Sequence, residues 1–327
     1  VALFIHSIAA NNQSISADGV QTIDLPVNPL SAVLIHLNPL NDTATIGNFG
    51  LIQRLLSALD NCEILHKGTA IVSASGADLV AFSHWVNGVA IAQSNPVDTD
   101  NDRRSLVIPV LLGRKAYDPS ECFPRSRRGE LQLQLTWDIA DTGFDGLRIS
   151  VETVELPEAT PTHVQKLTTL TQTFAATGDN DVDLPIGHLI RGVLCFGTTG
   201  FAGAAPAPTL GRLSVLRDNI QVGYSSTDFE VSRVIAQLAA RNQPFWNEHL
   251  HGFVDGAAGQ TDTQRQNDIF PMMENYTFID FDPTRDDLYS LVTEGAGRVH
   301  MRINAETANL ARFLPIEKFP VDELDLT

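Results

Sequence analysis

The chain has 327 residues, 43% of them hydrophobic and 19% charged, which is enough for two domains and too apolar for a disordered chain. Its 39 acidic and 22 basic residues give a formal net charge of −17, which repels phosphate and argues against nucleic-acid binding unless basic residues gather locally. No apolar run approaches the roughly 20 residues of a membrane-spanning helix; Cys62, Cys122 and Cys195 are too far apart for a CxxC metal knuckle and too few for a disulfide framework, which predicts folding in a reducing compartment.

Residues 1–14 carry a short apolar stretch with no basic flank and no small-residue cleavage site, so they read as an N-terminal arm or first strand rather than a signal peptide. Next comes Ile23-Asp24-Leu25-Pro26, leading into the apolar run Val33-Leu34-Ile35. Over 46–59, Phe49, Ile52, Leu55, Leu56 and Leu59 fall at helical spacing and predict a helix covering a sheet edge. In 129–154, Leu131, Leu133, Leu135 and Trp137 alternate with polar residues; after Asp141-Thr142-Gly143 and Asp145-Gly146, Leu147, Ile149, Val151 and Thr153 resume the alternation, predicting an antiparallel hairpin. Pro157 and Pro161 hold the backbone extended and end strand pairing, making 157–165 the linker between a first domain at 15–156 and a second at 166–319, with a tail at 320–327.

The second domain restates the first. Val182-Asp183-Leu184-Pro185 precedes the apolar run Val193-Leu194-Cys195-Phe196, and Asp183 stands to Asp24 at an offset of 159, close to half the chain. Three further echoes follow in the same order: residues 56–61 with 213–219, Ser75-Gly76-Ala77-Asp78 with Ser226-Thr227-Asp228, and Tyr117-Asp118-Pro119 with Phe281-Asp282-Pro283, at offsets of 157, about 150 and 164. Segments 229–241, with Val231, Val234, Ile235 and Leu238, and 304–313 fit helix or strand. Residues 200–211 and 252–259 read as long surface loops, and 288–303 as a second hairpin turning at Gly295-Ala296-Gly297. The chain is mostly β, with short helices in the connections.

Little of this points to chemistry. His249-Leu250-His251 is half of a cupin metal site without the rest, and ordinary loop histidines account for it. Asp98-Thr99-Asp100-Asn101-Asp102 opens like a calcium loop, but Arg103 stands in place of the turn glycine and Pro109 in place of the bidentate glutamate. Asp179, Asp181 and Asp183 alternate too, and the same caution applies to them. No GxSxG elbow, P-loop or HExxH occurs. The expectation is therefore no catalytic residues, no metal and no cofactor. One charge reversal stands out: Arg103, Arg104, Arg114, Lys115, Arg125, Arg127 and Arg128 crowd a single stretch of an acidic chain. They are either a loop salt-bridged to its own aspartates or a basic patch that meets an acidic copy of the same chain.

Residues 182–193, reading VDLPIGHLIRGV, resemble the entry into the second roll of the double jelly-roll major capsid proteins, where the strand reads roughly L-P-x-G-x-I-R-G-I. That family builds tailless icosahedral viruses of the tectivirus, corticovirus and adenovirus lineage. The counterpart at 23–35 lacks the glycine and the Arg-Gly, so its match is looser; the resemblance covers about 15–319. It implies an all-β fold of two tandem eight-stranded jelly rolls with short helices in connecting loops. It further implies a structural, non-enzymatic role as homotrimeric, pseudo-hexameric capsomers tiling a virion shell, assembled in the host cytoplasm, with a membrane-containing bacteriophage as the source. Partners would be neighbouring capsomers, penton or minor capsid proteins and an internal virion membrane, toward which the apolar residues 1–10 would face, without sequence-specific nucleic-acid binding. The alternative reading is a two-domain β-sandwich enzyme (glycan hydrolase or bicupin) or a carbohydrate-binding or adhesin protein.

Overall fold

The computed structural model describes residues 3–41, 52–88, 93–94, 105–139, 144–198, 208–239 and 275–324. Among them the chain forms two compact units, one running through Lys166 and resuming at Pro320, the other running from Leu167 to Phe319. The first contains β1 (Ile5–Ser14), β2 (Gly19–Asp24), β3 (Leu30–Leu37), β4 (Leu40–Asn41), α1 (Ile52–Ala58), β5 (Leu59–His66), β6 (Thr69–Ala74), α2 (Gly76–Trp85), β7 (Gln93–Ser94), β8 (Ser105–Leu111), β9 (Leu131–Trp137), β10 (Phe144–Asp145) and β11 (Arg148–Glu155). Strand β12 (His163–Thr168) carries the chain across the boundary. The second contains β13 (Leu170–Thr173), β14 (Gly178–Asp183), β15 (Leu189–Gly197), β16 (Arg212–Arg217), β17 (Ile220–Gln221), β18 (Thr227–Asp228), α3 (Phe229–Ala239), β19 (Tyr276–Asp280), β20 (Leu291–Val292), β21 (Val299–Ala305) and β22 (Leu310–Pro320).

In the first unit two antiparallel sheets run β1-β11-β3-β8-β7 and β2-β9-β5-β6. In the second the corresponding strings are β13-β22-β15-β19 and β14-β21-β16, with β17 and β18 both pairing β16. Leaving aside β4, β7, β10 and β20 and counting β17 with β18 as one interrupted strand, each unit has, among the described residues, eight strands in the order 1-8-3-6 and 2-7-4-5. That is the jelly roll, a double-sheet sandwich of two Greek keys. In the second unit Val182 (β14), Val193 (β15), Val215 (β16), Ile279 (β19), Met301 (β21) and Phe313 (β22) belong to a single buried cluster, so both sheets contribute to one core.

The echoes seen in the sequence fall on equivalent parts of the two rolls, with one exception. Strands β2 and β14 begin and end at the same offset as the two Asp-Leu-Pro words, and the first residues of β3 and β15 share it. The Leu25 N–H donates to Leu131 at the start of β9, and the Leu184 N–H donates to Val299 at the start of β21, the same join in both rolls. Ser75 caps α2 by accepting from the Asp78 N–H at 3.1 Å; its echo at Ser226 immediately precedes β18 and α3. Both helices follow the fifth strand and pack on the sixth, α2 on β8 and α3 on β19. Tyr117-Asp118-Pro119 and Phe281-Asp282-Pro283 both lie between sixth and seventh strands. The exception is 56–61 against 213–219: the first passes from α1 into β5, whereas the second is strand β16 and its turn.

Two local expectations are corrected. The strands within 129–154 exist and β9 alternates buried and half-buried residues, yet they do not pair with each other: β9 lies between β5 and β2, and β11 between β1 and β3. A jelly roll carries its seventh and eighth strands in opposite sheets, so a shared period of two does not make a hairpin. The segment 288–303 differs for the same reason, because β20 pairs β15 while β21 pairs β14 and β16. Of the two segments that fit helix or strand, 304–313 is the end of β21 and the start of β22, and 229–239 is helical. The helix expected over 46–59 is present as α1 from Ile52; residues 46–51 lie outside the described residues.

Gly192 shows how tightly the second roll is closed. A methyl group there would lie 2.4 Å from the Phe278 ring and 2.7 Å from the Ile279 carbonyl oxygen on β19. Backbone cannot yield cheaply at that distance, so Gly192→Ala is expected to cost about 2–3 kcal/mol in urea unfolding. A variant within about 0.5 kcal/mol of wild type, the range of an unconstrained surface change, would show that β15 and β19 are more loosely joined than this.

Candidate functional site

The 182–193 stretch builds the second roll. Leu184 and Ile190 are buried, Gly187 takes a φ of 114° that a side chain would strain, and Gly192 admits the Phe278 ring. Between Ile190 and Gly192 the register against β22 slips, so Arg191 sits on a bulge. Its side chain is only 4% exposed and grips Asp287 twice, Nε to Oδ1 at 2.8 Å and Nη2 to Oδ2 at 3.2 Å. Lys318 Nζ donates to the same carboxylate at 2.9 Å. Asp287 is placed by its own loop, where the Asp282 carboxylate accepts from the N–H groups of Asp286 and Asp287 at 3.1 and 2.8 Å. The Arg-Gly of the motif is therefore a clamp between β15 and the loop after β19, and positions 32 and 33 of the first roll, Ala32 and Val33, have none.

The alternating aspartates of β14 lie along one sheet face with partners across the strands. Asn304 Nδ2 donates to Asp179 at 2.9 Å, Arg302 donates to both oxygens of Asp181 at 2.8 and 3.2 Å, and Arg298 donates to Asp183 at 2.6 Å. Arg212 on β16 pairs with Asp228 on β18 at 2.7 Å. These carboxylates are engaged by guanidinium and amide groups, and among the described residues no group of three His, Cys, Asp or Glu could hold a metal. The Arg302 hydrogen bonds hold the Asp181 carboxyl below the usual carboxylate range. Beneath them His300 is fully buried, 3.6 Å from Asp181, with neither ring nitrogen hydrogen-bonded. Burial lowers its proton affinity, against the pull of Asp181.

The other sequence candidates are scattered or lie beyond the described chain. His249, His251, Asp98, Asp100, Asp102, Arg103 and Arg104 lie outside the described residues. All three cysteines are free and buried; burial pushes the Cys62 and Cys122 thiols up to about 12 and raises Cys195, which leaves them unreactive. Lys115, Arg125, Arg127 and Arg128 are exposed on the connection from β8 to β9. There the Arg127 N–H donates to Glu130 at 2.9 Å and Arg125 Nη2 reaches the Pro157 carbonyl at 3.3 Å. Residues 5–14 of the expected arm-or-strand form edge strand β1, with Leu3, Phe4 and Ile8 more than half exposed. Helix α3 turns Phe229, Ser232 and Ala236 inward and leaves Val231, Val234 and Leu238 outward. None of the described helices is long and apolar enough to cross a membrane.

No protein-family model matches the sequence, and a search of curated proteins finds no match. Solved structures do resemble the fold. The major capsid protein P2 from bacteriophage PM2 matches with a TM-score of 0.63 at 10% identity, over 97% of this chain and 98% of that one. A chain from the atomic structure of Sulfolobus Turreted Icosahedral Virus also reaches 0.63, at 10% identity, over 98% and 92%. The Faustovirus major capsid protein reaches 0.56 at 8% identity, over 98% and 90%. At such identities the likeness is one of fold. The chain is a double jelly roll, the architecture it shares from end to end with these viral proteins.

Two outcomes follow from the geometry. Arg191→Met leaves Asp287 half-paired in a mostly buried site and is expected to cost about 3 kcal/mol in urea unfolding, with Arg191→Lys recovering less than half because it lacks the two-pronged grip. A loss below about 0.5 kcal/mol, no more than a neutral surface change gives, would show that Lys318 suffices. For His300, the unfolded chain takes up a proton near the ordinary histidine pKa of about 6.5 before the folded one does, so stability is full above that pH and falls as pH drops through it. The decline in melting temperature from pH 7.5 to pH 5 should therefore shrink in His300→Phe; an unchanged decline would assign it to other groups.

Proposed function

We propose that this chain is the major capsid protein of an icosahedral virus, working as a shell-building block and not as an enzyme. The observation that carries the reading is one strand order, 1-8-3-6 with 2-7-4-5, occurring twice in a chain that major capsid proteins match along nearly their whole length. A chain with two like rolls gives a trimer six similar sides, so a three-fold block tiles hexagonally as though it had six subunits. Its location is then the virion shell, assembled in the host cytoplasm. Its partners are two further copies, neighbouring blocks, penton or minor capsid proteins, and an internal membrane beneath the apolar N-terminal strand.

The buried, high-pKa cysteines and the ion-paired aspartates support a structural role over catalysis. Shells need complementary surfaces, whereas a glycan hydrolase needs free placed acids and aromatic platforms. Light scattering on the purified protein should give a stable particle of three times 35.6 kDa, or a larger assembly. Negative-stain images should show six-sided blocks. A clean monomer that cleaves or binds glycans would replace this reading with the two-domain enzyme or carbohydrate-binding one.

A further inference from the structure

The chain carries a net charge of −17, so two copies repel each other unless each offers a local patch of opposite sign. The second roll has an open basin of about 550 Å³ on the face formed by β14, β21, β16 and β18. Asp179, Asp228 and Glu306 line it together with Arg212 and Arg302. Arg302 is already committed to Asp181 and Arg212 to Asp228. Asp179 accepts a hydrogen bond only from the neutral amide of Asn304 among the described residues and feels the Arg302 charge without a direct ion pair, and Glu306 stands exposed near Arg212 without a hydrogen-bonded partner there. The basin is therefore net acidic after its internal pairs are formed.

The first roll offers the opposite sign. On the connection from β8 to β9, Lys115, Arg125, Arg127 and Arg128 are exposed. The hydrogen bond from Arg127 to Glu130 uses its backbone N–H, and neither its guanidinium nor that of Arg128 pairs with an acid among the described residues. These two side chains are free to meet a carboxylate from outside.

We propose that the β8–β9 connection of one copy docks into the acid-lined basin on the second roll of the next copy, with Arg127 and Arg128 facing Asp179 and Glu306. The inference rests on the trimeric reading above. In a ring of three chains carrying alternating first and second rolls, every junction between copies joins unlike rolls, so the two contacting surfaces must differ and must not be self-complementary. A basic loop and an acidic sheet face meet that condition. A contact of this kind also fixes the direction of the ring, because two basins or two basic loops repel. Guanidinium groups suit the task, since a planar fork pairs with a carboxylate through two hydrogen bonds.

The test is a charge exchange read by light scattering and sedimentation at about 0.1 M salt, where surface charges act within about 10 Å. Arg127→Glu with Arg128→Glu in one variant, and Asp179→Lys with Glu306→Lys in another, should each raise the trimer dissociation constant at least tenfold. The four substitutions together should restore it, and circular dichroism melts confirm that each variant is folded. A milder pair, Arg128→Gln and Glu306→Gln, should show the same direction with a smaller change if a reversal impairs folding. Trimers of wild-type affinity in both reversed variants, or no recovery in the fourfold variant, would overturn this contact while leaving the shell role intact. A wild-type chain that stays monomeric would overturn the shell role and this contact with it.

Discussion

Each roll depends on one strand that is buried along almost its whole length. β3 is held between β11 and β8, and β15 between β22 and β19, so both have hydrogen-bonded neighbours on either side. Burial of both faces demands near-continuous apolar sequence in place of alternation, and LSAVLIHL and LIRGVLCFG supply it. Fixing this third strand fixes its eighth-strand and sixth-strand partners, the first strand adds beside the eighth, and the second, seventh, fourth and fifth close the sandwich as the opposite sheet. The one charge admitted into β15, Arg191, is tolerated because a bulge re-aims it and Asp287 and Lys318 form an ion cluster around it.

This dependence explains which features were legible. The doubled Asp-Leu-Pro and the apolar run after it survive as sequence echoes because they mark the turn from the second strand into the third, where both rolls face the same packing demand. The Ser-Gly-Ala-Asp echo falls near the start of each roll's helix, but Ser75 caps α2 directly whereas Ser226 lies before β18. Partner strands were not legible. The alternation of β9 and β11 reports a sheet face to each side, and nothing in a period of two says which strand lies alongside. For 229–239, the outward Val231, Val234 and Leu238 fit either helix or strand by composition, and the choice is made by Phe229, Ser232 and Ala236 packing inward, with Ser232 Oγ within 3.0 Å of Thr277 Oγ1 on β19.

The ionic features were half legible. Asp179, Asp181 and Asp183 were visible as an alternating acidic row, and the ligand geometry of a cation loop was visibly incomplete. Their true partners, Asn304, Arg302 and Arg298, lie more than a hundred residues on and become neighbours only through the pairing of second and seventh strands. Arg191 stood out in the motif, yet Asp287 is 96 residues away on a loop whose position follows from the whole sheet. Long-range ion pairs of this sort are consequences of topology, so a single sequence shows one member without the other.

Two rolls with one topology need not have equivalent surfaces, and here they differ. The second roll wears an ion-pair ladder on β14 and β21 and clamps its loop with Arg191; the first has Ala32 and Val33 at the clamp positions and concentrates its exposed arginines on the β8–β9 connection. The two third strands share burial and a near-continuous apolar character, yet even there Arg191 and Gly192 stand where the first roll has the buried pair Ala32 and Val33. Surface residues are under no such packing demand, and the two rolls carry different exposed charged groups. In the proposed trimer, sides alike in shape and unlike in charge would close a ring in one direction only.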